Sequence, residues 1–143
     1  MRDNIPILLV EDDQVDVMTV QRAFKRNNII NPLSIVPNGR EALALLRHQE
    51  AYADQQKFPT PGIILLDLNM PVMNGIECLR ALKADEQLRK IPVIVLTTSK
   101  EECDRVDSFK LSVAGYIIKP MEFEKFVEAV KVLNLYWTLS ELP

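Results

Sequence analysis

Five short apolar runs recur along the chain: IPILLV (5–10), LSIV (33–36), GIILLD (62–67), IPVIVLT (91–97) and GYIIK (115–119). All read as strands, and the continuous apolar run IILL at 63–66 reads as one buried on both faces. Between them the apolar spacing becomes helical. Val17, Val20 and Phe24 fall at i, i+3, i+7, and Val106, Phe109 and Val113 repeat the pattern. The stretches around 42–46 and 76–82 are helical in composition and pattern, and a last long helix begins near Glu122. Asn38-Gly39 and Asn74-Gly75 mark turns or helix starts, while Pro59, Pro61 and Pro92 punctuate strand entries. The longest connection, AYADQQKFPTPG, joins the second helix to the third strand.

Five strands alternating with five helices imply an α/β domain with a parallel sheet and right-handed crossovers. For five strands the expected doubly wound order is 2-1-3-4-5, with a ligand crevice where strands 1 and 3 end. All parallel strands finish at one edge of the sheet, so the residues at their ends form a list of candidate site residues.

The 143 residues suit a single domain with a real core. Twenty acidic residues against 17 basic ones, a net charge of −3, argue against a nucleic-acid binder, which carries a basic patch or stripe. No apolar run approaches a membrane span. The start, MRDNIPILLV, lacks a signal-peptide pattern, because its apolar stretch is short and leads into acids. The expectation is a cytoplasmic protein in which Cys78 and Cys103 are reduced, packed thiols, since they lack metal-ligand spacing. The lone His48 is expected to be solvated.

The first strand ends in Glu11-Asp12-Asp13, the third in Asp67, the fourth in Thr97-Thr98-Ser99 and the fifth in Lys119-Pro120. Asp67 thus faces the acidic cluster across neighbouring strands. Two carboxylates ~6 Å apart repel by roughly 3 kcal/mol at an effective dielectric of ~20. Several such pairs call for a cation. Hard oxygen donors without His or Cys suit Mg2+ better than Zn2+. Each residue also has a plainer reading. The acids could cap the first helix, Asp67 could cap a turn, Thr97 could be a β-branched strand residue, and Lys119 could extend to solvent.

The ordered set LLVEDD, LLDLNMPVMNG, VIVLTTS and GYIIKP resembles the receiver domain of two-component response regulators, from about Ile5 to Leu133. The tail LYWTLSELP, the long second loop and the start EDDQVDV are also similar to the small stand-alone regulators that serve cyanobacterial phytochromes. The resemblance implies a flavodoxin-like (βα)5 fold spanning 1–143 as one receiver with an extended last helix. It implies that Asp67 is the phosphoacceptor, that Asp12 binds Mg2+ with help from Glu11, and that Asn69 offers its backbone carbonyl. Thr97 and Lys119 would bond phosphoryl oxygens, Tyr116 would be the switch aromatic, and Pro120 would follow a cis peptide. The donor would be a sensor histidine kinase, with a phytochrome in view. Thr98 and Met121 depart from the family's usual small and aromatic residues.

Two enzyme-like or cofactor-binding readings compete. An aspartate-based phosphatase uses a second acid two residues after its nucleophile, whereas Asn69 there cannot be a general acid. A flavin module of the same topology needs phosphate donors in its first loop, and Glu-Asp-Asp repels phosphate. A DNA-binding regulator would need a recognition domain beyond the last helix, and the chain stops at Pro143. Output by protein contact is therefore expected. The last helix carries two apolar stripes: Phe126, Val130, Leu133 and Trp137, then Val132, Leu135, Tyr136 and Leu139. One suits the sheet. The second either packs under the tail SELP or forms a symmetric homodimer through the fourth-helix to fifth-helix face, anchored by Tyr136 and Trp137, since exposed contiguous apolar surface marks interfaces.

Overall fold

The computed structural model describes residues 5–70, 73–119 and 122–140, with 136–140 described as backbone only. The five apolar runs form β1 (Ile7–Val10), β2 (Leu33–Val36), β3 (Ile63–Asp67), β4 (Val93–Thr97) and β5 (Gly115–Ile118). They pair in parallel in the order β2-β1-β3-β4-β5, the doubly wound arrangement expected. The intervening helices are α1 (Gln14–Arg26), α2 (Gly39–Leu46), α3 (Gly75–Ala84), α4 (Lys100–Ser108) and α5 (Phe123–Ser140).

The strand period of two divides the apolar residues between two cores. Leu8, Val10, Ile64, Leu66, Val93 and Val95 point to the face covered by α2, α3 and α4. Ile7, Leu9, Ile63, Leu65, Ile94 and Leu96 point to the face covered by α1 and α5. Every residue of β1, β3 and β4 is buried, which is why these runs are continuously apolar. Fully burying one such Leu or Ile stabilises by roughly 1.5–3 kcal/mol. A Leu8→Ala change, at a site with no exposed surface, should cost about 2–5 kcal/mol. On the second face α1 and α5 are also tied by polar contacts. Arg26 donates to both Glu124 carboxylate oxygens at 3.0 and 3.1 Å, and the Asn27 amide donates to the Val127 carbonyl at 3.0 Å.

Asn38 and Asn74 of the two Asn-Gly pairs are helix N-caps, and Asn74 closes a full capping box with Glu77. Gly75 is required for a further reason. A Cβ there would lie 2.6 Å from the Asp67 carbonyl oxygen, so the absence of a side chain lets α3 start directly under the end of β3.

The stripe Val106–Phe109–Val113 does not stay helical. The helix ends at Ser108 and Phe109 is the C-cap, while Lys110 takes φ 56°. The Leu111 N–H donates to Val106 O at 3.1 Å and the Lys110 N–H to Asp107 O at 3.0 Å, the paired bonds of a Schellman stop. Phe109 is left 42% exposed with the Arg80 guanidinium 4.0 Å from its ring centre. His48 is also not simply solvated. It is half-buried, with Nε2 3.0 Å from Thr60 Oγ1 and Nδ1 shielded from solvent.

Cys78 and Cys103 are free and buried as expected, and burial pushes the Cys78 thiol up to about 12. Among the described residues no helix is long and apolar enough to cross a membrane. The peptide before Pro120 and the side chains of Tyr136 and Trp137 lie outside the described residues. On the described part of α5, Phe126 and Val130 are buried, whereas Val132 and Leu135 are 62% and 54% exposed.

Candidate functional site

The register that pairs Val10 with Leu66 brings the next residues of both strands, Glu11 and Asp67, side by side at the carboxyl edge. Both are almost completely buried, at 1% and 2% exposed. Asp12, on the loop just beyond, is exposed, and one carboxylate oxygen from each of Glu11, Asp12 and Asp67 lies within 4.8 Å of the others. Asp13 separates from this group. It is the N-cap of α1 and accepts from the Val15 N–H at 2.8 Å and the Asp16 N–H at 3.3 Å.

The Asn69 N–H donates to Asp67 Oδ1 at 3.0 Å, which fixes one carboxylate oxygen. The other, Oδ2, lies 3.8 Å from Lys119 Nζ. The lysine reaches in from the end of β5 and is shared: it donates to Glu11 Oε1 at 3.1 Å and to Asp16 Oδ2 at 2.8 Å. A cavity of about 140 Å³ adjoins it, walled by Asp16, Thr19, Val20, Leu96 and Phe126.

Burial, followed by the hydrogen bond and charge of Asp67, pushes Glu11 from 4.5 up to about 8, although Lys119 pulls the other way. The crowded Glu11 carboxyl thus keeps its proton to higher pH than an isolated glutamate does. Burial works against the Lys119 ammonium, yet the bond to Asp16 and the charges of Asp67 and Glu11 leave its pKa above the ordinary value. Three clustered carboxylates, two of them buried and all hard oxygen donors, match what a small divalent cation requires.

Thr97, at the end of β4, is wholly buried. Its hydroxyl faces Glu102 Oε1 at 2.6 Å and accepts from the Ser99 N–H at 3.1 Å. The Asn69 amide sits between Thr98 Oγ1 at 3.2 Å and the Glu102 carboxylate at 3.0 and 3.1 Å, satisfied on both sides when its nitrogen faces Glu102. Tyr116 of β5 is half-buried and donates to Asp107 Oδ1 at 2.7 Å. Its phenol is shifted upward by burial, then by Asp107.

The structure therefore gathers Glu11, Asp12, Asp67, Asn69, Thr97 and Lys119 at one edge, with Tyr116 further back on β5, paired with Val95. Asp16 and Glu102 also belong to the arrangement, and reading the sequence did not find them. Asp16 carried a signal, since it lies four residues after Asp12 and so one helical turn on. Glu102 was masked by the pattern Ser99-x-x-Glu102, which reads as an ordinary capping box.

Residues 7–131 match the response regulator receiver domain family. Response regulator Rcp1 of Synechocystis sp. is 38% identical over 131 residues, covering 92% of this chain and 87% of Rcp1. The phosphorylated cyanobacterial phytochrome response regulator RcpA superposes with a TM-score of 0.82 at 36% identity, covering 94% of each chain. The Mn2+-bound form of Rcp1 superposes at 0.79 with 38% identity, covering 93% of this chain and 94% of its own. With the fold, the acidic edge and the matched family in agreement, the chain belongs to the response regulator receiver domain family.

Proposed function

We propose that Asp67 accepts a phosphoryl group from a sensor histidine kinase, in a Mg2+-dependent reaction, and that the protein signals through contacts with other proteins. The observation that carries this reading is the placement of Asp67: buried at the end of β3, beside Glu11 and Asp12 and 3.8 Å from Lys119. Glu11, Asp12, Asp67 and the Asn69 backbone carbonyl would hold the cation. A divalent cation held there would supply positive charge to offset that of the carboxylates and the incoming phosphoryl group. An Asp67 oxygen attacks phosphorus, the bond from phosphorus to the donor nitrogen breaks, and the carboxylate becomes an acyl phosphate.

The Asn69 N–H orients the Asp67 carboxylate throughout. Lys119 pairs with one phosphoryl oxygen and Thr97 with another, adding charge-assisted bonds that the free carboxylate cannot make. Movement of Thr97 opens space into which Tyr116 turns, biasing the face built by α4, β5 and α5. Asn69 at the second position after the nucleophile supplies no general acid, which supports a signalling rather than a phosphatase role. Likeness to RcpA and Rcp1 supports a phytochrome as the kinase. The exposed Val132 and Leu135 support a second copy of the chain packing on α5.

Phosphotransfer from a purified phytochrome kinase tests the donor. Transfer within minutes is expected, whereas transfer only from unrelated kinases would overturn the phytochrome assignment. Sedimentation at micromolar concentration tests the dimer. A Leu135→Asp variant should shift the population to monomer, and a monomer before and after phosphorylation would remove the dimer from the account.

A further inference from the structure

Three of the described helices begin with the same signature, a capping residue followed three positions later by glutamate: Asn38 and Glu41 in α2, Asn74 and Glu77 in α3, Ser99 and Glu102 in α4. In α3 the pair Asn74 and Glu77 closes the box in both directions, at 3.0 and 3.3 Å. In α4 the N-cap Ser99 accepts from the Glu101 N–H, but Glu102 does not return the bond. The Ser99 N–H is taken instead by Thr97 Oγ1 at 3.1 Å, while Glu102 reaches out to the Thr97 hydroxyl at 2.6 Å and to the Asn69 amide.

We propose that Glu102 is a positioning residue, a latch that holds the Thr97 hydroxyl away from Asp67 until phosphorylation of Asp67 breaks the hold. This rests on Asp67 being the phosphoacceptor. A hydroxyl has one proton to donate. Its nearest acceptor here is a carboxylate, and such charge-assisted bonds are short and strong. The other acceptor in reach, the Ser99 carbonyl, is at 3.3 Å. A phosphoryl oxygen on Asp67 must therefore compete with Glu102 for that proton.

The backbone has a second arrangement ready. When Thr97 turns to the phosphoryl group, the Ser99 N–H loses its acceptor. Glu102, at the third helical position, is then placed to accept it and close the box that Glu77 already closes in α3. Both arrangements leave the Thr97 hydroxyl and the Ser99 N–H with a partner, so the element is bistable rather than gradually deformable. The first turn of α4 changes its bonding with the state of Asp67.

The test is the affinity of the intact protein for beryllofluoride, an acyl-phosphate mimic, measured by calorimetry with saturating Mg2+. Glu102→Ala should tighten binding about tenfold, because one charge-assisted bond no longer has to be broken. Glu102→Gln, which keeps the shape and a neutral acceptor, should give a smaller gain. In a Thr97→Val background, which lacks the hydroxyl, Glu102→Ala should change affinity by less than about twofold, as double-mutant logic requires. Unchanged affinity of Glu102→Ala in the Thr97 protein would overturn the latch. So would an equal gain in the Thr97→Val background, because that would be a general charge effect. Failure of the wild-type protein to bind beryllofluoride would overturn the phosphoacceptor reading, and the latch with it.

Discussion

The two sides of the site are built in opposite ways. On the side where β1 and β3 end, Glu11, Asp12 and Asp67 are acceptors crowded together, with two backbone N–H groups and one lysine donating to them. On the side where β4 and β5 end, three side-chain donors are each committed to an acid. Thr97 is held by Glu102, Lys119 by Asp16 and Glu11, and Tyr116 by Asp107. The first side is preorganised but electrostatically incomplete, so adding positive charge completes it. The second is satisfied as it stands, so it responds only when something stronger draws its donors away. A receiver needs both properties: a site that reacts readily and a switch that stays off until it has reacted.

This contrast predicts different sensitivities on the two sides. The largest effect is expected from removing divalent cations. Labelling by a small phosphodonor such as acetyl phosphate should fall by at least about a hundredfold in EDTA, since metal charge stabilisation is worth several kcal/mol. Labelling that persists in chelator would show that the acidic side needs no added charge.

Lys119→Ala should act on the second side. Removing a cation that borders the acids should leave metal affinity intact or tighten it severalfold. The conformational response to phosphorylation, read by hydrogen exchange in α4 and β5, should drop by about tenfold, the weight of one charge-assisted bond. Outright loss of metal binding would erase the distinction between the sides. Thr97→Ala should behave similarly, with metal affinity changed by less than about twofold because an uncharged hydroxyl is removed and the Tyr116 response lost.

The smallest effect is in pH. Glu11 sits near 8 when folded against 4.5 as its ordinary value, so the metal-free folded protein binds more protons than the unfolded chain between those values. That contribution to stability is fully present below about 4.5 and is lost as pH rises towards 8. The Tm without metal should therefore decline from pH 5 to 8, Glu11→Gln should flatten the decline, and saturating Mg2+ should offset it. Calorimetry in two buffers at pH 7 should register release of up to about one proton per cation bound. No proton release and a flat profile would mean Glu11 is already charged.

The acidic side was legible in the sequence because parallel strands end at one edge, and a buried strand that ends in Asp67 places that residue without knowledge of the fold's details. The sequence left open whether Asp13 caps α1 or joins Asp12. The N–H groups of Val15 and Asp16 decide it. The other side was legible only in part. Thr97 and Lys119 follow from strand ends, but their partners Glu102 and Asp16 depend on which way helix side chains turn, a matter of tertiary packing. The same limit hid the end of α4. Lys110 there adopts the left-handed conformation that glycine or asparagine usually signals, so the apolar spacing ran on past the true stop.

The central claim is that Asp67 is the nucleophile and that its surroundings serve it. The direct measurement is intact-mass spectrometry of the wild-type protein and Asp67→Asn, each incubated with acetyl phosphate and Mg2+, followed by peptide mapping. The account predicts a single phosphoryl increment in the wild type, confined to the peptide that contains Asp67, and no increment in Asp67→Asn. An increment of equal rate and extent in Asp67→Asn, or one mapped to another residue in the wild type, would contradict it.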